Sequence, residues 1–443
     1  ADARADADAA VVPPKPAERP LRVAALGWEL VAAGVALDAT TPAIELAPET
    51  ALDAIEARLA RGGVDPAGAD IAILPLPAFV TSYERLRALD PRAFAVVGFS
   101  RGREEVHAAA GVLLKPPVGT EEVRVVAFVP ATAGDISSRA VGSESASVLG
   151  LFALDLMGVL PARVRFVPPA VPEAKTALLS AIVRGATDDR KLAFSTADAS
   201  RLVPLVAIAP KGKIDESEAK LRDFLKVWMS GVEGAKKDAA AVAQKLAKKE
   251  GATFAAGVGG APEAIALLER MGQVDGAKLA DESTLIGAGA RGPYTLETVL
   301  QRTWQLARGG GLATSAAPDP LPIDARVVAG LGVAKPTPKD ATDAGDADAG
   351  VLAFAALPPG VIPLVVYRAD ATSDAAAVAA QIGFLSNVFE RAAFRVSAKG
   401  GEKSARAIAT MAKERFDVPM ARLATTTTEP QGTMASVEVV ALP

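Results

Sequence analysis

The sequence predicts an α/β protein in two successive strand–helix sets, followed by a small C-terminal α+β unit. Short apolar runs bounded by turn residues alternate with helix-period segments of about ten residues, the pattern of a doubly wound sheet. That alternation restarts near Val123. A stretch at 316–350, rich in Pro, Asp, Ala and Thr, then separates a last strand–helix series from everything before it.

In the first set, Leu21–Leu26 (LRVAAL) is a buried-type strand followed by Gly27–Trp28, and Ile44–Leu46 is a brief strand. Pro48–Ala60 has helical spacing and stops at Gly62–Gly63. Ile71–Leu74 is a strand broken by Pro75 and Pro77, Phe79–Leu89 a helix, and Phe94–Phe99 a third strand. The second set predicts strands at Val123–Val129, Arg163–Val167, Lys191–Ser195 and Leu202–Ala209. It also predicts helices at Gly142–Leu160, where Ser143 or Ser145 can cap the N-terminus, and at Glu173–Arg184. Amphipathic helices follow at Ser217–Gly231, Asp238–Lys249, Ala261–Met271 and Leu296–Arg308. The lysines of Lys236–Lys249 alternate with Ala, Val and Leu and read as a solvated helix face. After the 316–350 stretch, whose composition is that of a linker, come a strand (Val361–Tyr367), a helix (Ala375–Ala392), a strand (Phe394–Ser397), a helix (Ser404–Phe416) and a closing strand (Ser436–Leu442). Such a unit is short enough to be a separate domain.

Composition narrows the chemistry. At 443 residues and 50% hydrophobic, the chain can bury two or three cores. There are 48 Lys and Arg against 52 Asp and Glu, with no clustered basic face, so a nucleic-acid partner is not expected. The absence of cysteine excludes disulfides, zinc–thiolate sites and thiol nucleophiles, and the one histidine, His107, leaves little for a catalytic triad or a histidine metal site. No cofactor or metal is expected. The glycine-rich Arg308–Ser315 and Gly257–Gly260 lack the lysine and strand-to-helix context of a phosphate-binding loop. Ala1–Pro20 is polar and Ala/Asp/Pro-rich, as expected of a disordered tether. It reads as a mature end left by signal-peptide removal, as a tether separated from a membrane anchor, or as an arbitrary boundary. No apolar run reaches the ~18 residues of a membrane span.

Several segments resemble the type-II periplasmic solute-binding proteins, in the nitrate/sulfonate/thiamine-precursor branch of ABC transporter receptors. LRVAALGW is similar to the branch's opening strand and turn, and ARLARGGVDPAGADIAILPL to its helix–gap–strand unit. AVVGFSRGREEV resembles its strand-end segment, with Ser100 and Gly102 retained and Glu104 in place of an Asp. VGSESASVLGLFALDLMGV is similar to the turn into a second-lobe helix, and KLAFSTADASRLVPLVAIAP with LRDFLKVWMSGVEGAKK to the return strand and long helix. The likeness spans 21–331 and implies a two-lobed fold with a ligand between the lobes. The linker between domains is drawn at 332–355, and the segment after it, 356–443, resembles a degenerate OmpA-like domain, the module that docks on peptidoglycan. Val396–Gly401 and Ser404/Arg406–Ala407 stand at its motif positions, and SVEVVAL at its closing strand.

These resemblances imply candidate sites. A helix N-terminus between lobes suits a small anion. Gly142–Ser147 (GSESAS) has that form through Ser143 and Ser145, although Glu144 opposes an anion and an ordinary Ser-capped helix explains it equally. Ser100 and Arg101 fall at the matching turn of the first lobe, and Trp28 either stacks on a flat ligand or fills core. His107 reads as structural. The family's usual strand and cleft loop between Ala181 and Lys191 is read as abbreviated, and the stretch after Trp28 as lacking its usual long helix. Arg406 matches the peptidoglycan-clasping arginine, but no Asp stands in the turn and Glu402 is a loose substitute. The coincidence of losses favours an envelope protein whose partners are other envelope proteins. The alternative is a working receptor for a small solute, anchored to peptidoglycan, with any membrane contact only through an N-terminal anchor. An enzyme of solute-binding ancestry is the remote third option, since one histidine offers it little.

Overall fold

The computed structural model describes residues 19–37, 44–49, 51–115, 121–127, 143–183, 189–250, 285–286, 292–331, 354–355, 357–358 and 360–442. The tether at 1–18, Gly257–Gly260, the helix expected at Ala261–Met271 and the linker at 332–353 lie outside them.

Two five-stranded sheets share one design. The first has the order β2-β1-β3-β10-β4, with β1 at Leu21–Leu26, β2 at Ile44–Glu49, β3 at Ile71–Pro75, β4 at Pro91–Phe99 and β10 at Pro204–Pro210. The second has the order β7-β6-β8-β5-β9, with β5 at Glu104–Ala108, β6 at Val123–Ala127, β7 at Val164–Val167, β8 at Leu179–Val183 and β9 at Lys191–Ser195. In each sheet three strands pair parallel and one strand, β10 or β5, runs antiparallel to both its neighbours. Chain order makes the antiparallel strand of each sheet the one that arrives from the other. This exchange joins two lobes and is the two-lobed periplasmic-binding-protein-like fold. β3 and β8 are buried along their whole length, as strands covered on both faces must be.

Helices cover both sheets: α1 (Trp28–Ala36), α2 (Leu52–Arg61), α3 (Leu76–Leu86), α4 (Ser143–Leu156), α5 (Lys211–Lys237, kinked at Ser217), α6 (Ala239–Glu250), α7 (Leu296–Gly309) and the single turn α8 (Arg326–Ala329). Leu52, Ile55 and Leu59 form the buried stripe of α2, which ends at Gly62 in a positive-φ conformation (φ 73°) that glycine adopts freely. α1 crosses α5 so closely that a Cβ at Gly231 would overlap the carbonyl of Ala33. Gly231→Ala is therefore expected to push the helices apart and cost about 1–3 kcal/mol, read as a lower denaturation midpoint.

The last sheet has the order β11-β14-β12-β13, from β11 (Val365–Ala369), β12 (Ala392–Ala398), β13 (Leu423–Thr425) and β14 (Ala435–Ala441). α9 (Ala375–Val388) and α10 (Gly401–Phe416) complete this small α+β unit. Asp374 caps α9 by accepting from the Ala377 N–H at 2.7 Å. The Arg422 guanidinium ties down its other end by donating to the carbonyls of Ser386 (3.0 Å), Phe389 (2.5 Å) and Ala392 (2.7 Å).

Three expectations need correction. Glu173–Arg184 is not a helix: a short 3-10 turn at Pro172–Thr176 precedes β8. A fully buried strand has no polar face, so its apolar run carries no period that separates it from a buried helix. β8 also supplies the strand thought to be lost between Ala181 and Lys191, although 184–188 lie outside the described residues. The stretch after Trp28 forms only the nine-residue α1 among the described residues, and 38–43 lie outside them. The linker-like composition from 316 onward begins too early, because 316–331 packs on the first lobe. There the Ala93 N–H donates to Pro322 O and the Asp324 N–H to Ala93 O, both at 2.9 Å, covering the outer edge of β4.

Candidate functional site

Two crossovers connect the lobes, at 100–103 between β4 and β5 and at 196–203 between β9 and β10. A buried polar knot ties them together. Thr196 Oγ1 accepts from the N–H groups of Gly102 (2.9 Å), Arg103 (3.2 Å) and Glu104 (3.3 Å). The hydroxyls of Thr196 and Ser100 donate to Glu104 Oε2 at 3.0 and 2.5 Å. The Ser100 N–H in turn reaches Val203 O at 2.9 Å. Glu104 and Thr196 are fully buried and Ser100 nearly so. A carboxylate in that setting is retained only because charge-assisted hydrogen bonds replace its water. Ser100 is thus engaged in joining the crossovers.

The first turns of α4 form the other half of the junction. Ser143, Glu144, Ser145 and Ser147 are all buried, because α4 is enclosed by β5, β6 and β8, by α3 of the first lobe and by α7. Gly150 lies against Ala181 of β8, so Ser143 and Ser147, seven and three residues earlier, share the sheet-facing side. Ser145 stands seven residues before Phe152 and shares its side. The hydroxyl oxygens of Ser143, Ser145 and Ser147 have no hydrogen-bond partner among the described residues. Buried hydroxyls left this way each cost free energy that water or a ligand would return. Across the junction, Arg85 of α3 donates to Glu56 at 2.5 and 2.7 Å. That hydrogen bond first, and the negative charge of Glu144 in smaller part, raise the Arg85 pKa.

The remaining sequence candidates fall in two places. Trp28 opens α1 directly after Gly27, at the C-terminal end of β1. Arg101 pairs with Glu390 of the C-terminal unit at 3.0 Å. Arg406 pairs with Glu402 one turn away at 2.7 Å, and its guanidinium lies 5.4 Å from the centre of the Phe354 ring. The turn before α10 receives an acid that sequence reasoning missed: the Gly400 N–H donates to Glu429 Oε1 at 3.1 Å. His107 is held between Glu105 and the carbonyl of Arg190, as a structural residue would be. Thr196, Arg85 and Glu390 were also missed, whereas Ser147 closes the Gly142–Ser147 run named from the sequence.

Among the described residues no group of three or more His, Cys, Asp or Glu side chains could hold a metal ion, and no helix is long and apolar enough to cross a membrane. No protein-family profile and no curated protein matches the sequence. Among solved structures, the chain is similar to the periplasmic aliphatic sulphonate binding protein SsuA from Escherichia coli, with 14% identity, 70% of this chain and 91% of the other covered, and a TM-score of 0.45. It is similar also to the alkanesulfonate-binding protein SsuA from Xanthomonas axonopodis pv. citri bound to MOPS, with 13% identity, coverage of 71% and 99%, and a TM-score of 0.43. The periplasmic nitrate-binding protein NrtA from Synechocystis PCC 6803 follows, with 13% identity, coverage of 52% and 66%, and a TM-score of 0.35.

Proposed function

We propose that this chain is a non-enzymatic solute receptor of the bacterial periplasm, binding a small oxygen-rich solute at the first turns of α4. The observation that carries the reading is that buried hydroxyls on two sides of these turns, Ser143 and Ser147 towards the sheet and Ser145 on the Phe152 side, have no partner among the described residues. Their helix N-terminus adds the positive end of a dipole. With no cysteine and one structural histidine, the chain offers little to nucleophilic or general-base chemistry.

A panel of sulfonates, nitrate and amino acids in a thermal-shift titration tests this. A solute at one hundred times its Kd stabilises the protein by about 2.7 kcal/mol. Ser145→Ala is expected to abolish that gain while stabilising the free protein by about 1 kcal/mol, because it removes an unsatisfied buried hydroxyl. No solute-dependent shift, with Ser145→Ala merely stabilising, rejects the receptor.

A second reading, a structural component of an envelope assembly, rests on a different observation. Two of the anticipated binding cations are already paired within the chain, Arg101 with Glu390 and Arg406 with Glu402. The OmpA-like reading of 356–443 draws support from its β-α-β-α-β-β order and from Arg406 at the start of α10, and the cell envelope is where such a domain would act. A peptidoglycan carboxylate would have to displace Glu402 from Arg406. A peptidoglycan pull-down unaffected by Arg406→Ala removes docking through that residue, and recovery of the chain in a large native complex favours the assembly.

A further inference from the structure

The end of α9 in the C-terminal unit touches both crossovers that join the lobes. Glu390 Oε2 accepts from Ser200 Oγ at 2.8 Å on the second crossover and pairs with Arg101 at 3.0 Å on the first. The Arg201 N–H, also on the second crossover, donates to Val388 O at 3.3 Å. Phe389 is fully buried, its ring centre 6.4 Å from that of Phe152 in α4 and 6.2 Å from that of Phe194 in β9. α9 also meets the entry to α7, the helix that lies across both lobes. The Phe384 and Tyr294 rings are 5.9 Å apart, and Tyr294 O–H donates to Arg201 O at 2.5 Å. The Arg201 guanidinium lies over both the Phe99 and Tyr294 rings, at 5.0 and 4.9 Å from their centres.

We infer that the C-terminal unit is a clamp on the hinge, holding the two lobes at one angle through Phe389 and Glu390. Two lobes joined by two short crossovers change their angle by changing φ and ψ in those crossovers. Here both crossovers are bonded to one helix end, which Arg422 ties to β12 by holding the carbonyls of Ser386 and Phe389 together with that of Ala392. A change of angle must break the Glu390 bonds or carry the whole unit along. Coupling of this kind is reciprocal: whatever changes the angle between the lobes strains the clamp, and whatever pulls on the C-terminal unit shifts the lobes.

The chain has no cysteine, so paired spin labels can be placed without background. In the full chain, Arg61→Cys with Lys175→Cys reports the angle between the lobes, and Arg61→Cys with Glu414→Cys reports docking of the C-terminal unit. All three positions are exposed. Each pair is measured by pulsed electron resonance in the parent, with Phe389→Ala, and with Arg101→Glu, which sets two carboxylates against each other. Both distance distributions are expected to be narrow in the parent and to widen or split together in the variants. If the docking distance widens while the lobe distance stays narrow, the coupling is overturned. If the docking distance stays narrow in both variants, Phe389 and Glu390 are not the holding contacts, and the clamp is overturned too. Should Phe389→Ala not fold, Arg101→Glu carries the test alone. The distances are read without solute, so the outcome does not depend on the receptor proposal.

Discussion

Phe389→Ala is expected to destabilise the protein by about 3–5 kcal/mol, the range for removing a fully buried aromatic ring. The ring has no solvent exposure and lies among Phe152 of α4, Phe194 of β9 and the end of its own helix. Collapse of the neighbours cannot refill the space easily, because both partner rings belong to the second lobe while Phe389 is tied to Arg422. The loss should therefore fall on docking more than on either folded part. A calorimetric scan that shows one transition in the parent should show an early, separate one in the variant. Phe389→Leu, which keeps most of the apolar volume, should recover more than half of the loss. A single transition shifted by less than about 1 kcal/mol would mean that the ring packs far less tightly than its burial implies.

Replacing Asp70 should produce the second largest effect, about 2–3 kcal/mol for Asp70→Ala. Its carboxylate is almost wholly buried at the start of β3. It accepts from both Arg19 terminal nitrogens at 2.7 and 2.8 Å and from the Arg22 N–H at 2.9 Å, and it pairs with Lys213 of α5 at 3.0 Å. One side chain thus fastens the chain entering β1, β1 itself and the helix that follows β10. The cost stays below that of a fully buried pair because Arg19 is more than one-third exposed and rehydrates once freed. Burial pushes the Asp70 carboxyl up, but its hydrogen bonds to Arg19, Arg22 and Lys213 together outweigh that and hold it down to about 2.

A folded pKa below the unfolded value makes this stabilisation fully present above the unfolded pKa, near pH 4. It is lost as pH falls through the folded value near 2, and the gap corresponds to about 2 kcal/mol. Denaturant midpoints of the parent and of Asp70→Asn should therefore converge between pH 4 and pH 2 while remaining separate at pH 7. A constant separation down to pH 2 would show that Asp70 is not the titrating group.

Much of the scaffold was legible because its signals are local. LRVAAL, IAIL and AVVGF are apolar runs too short for helices and bounded by turn residues, and each is a strand in the structure. β5 was hidden because Glu104 occupies one of its inward positions beside Val106 and Ala108, which breaks the apolar alternation. β13 has three residues, too few for any period. Of the candidate site, the serine run of α4 was readable as a possible helix start, whereas the lack of partners for its hydroxyls depends on what surrounds it.

By itself, the sequence determined where most strands and helices lie and that the chain carries three strand–helix sets. Only the tertiary structure decided what the charged side chains near the hinge do. Glu104 meets Thr196 from 92 residues away, Ser200 meets Glu390 from 190, and Arg101 meets Glu390 from 289. Hydrophobic period and turn chemistry report the few residues on either side of a position, and they carry nothing across such separations. Those pairs form because the two lobes exchange strands and the C-terminal unit folds back onto the place where they do.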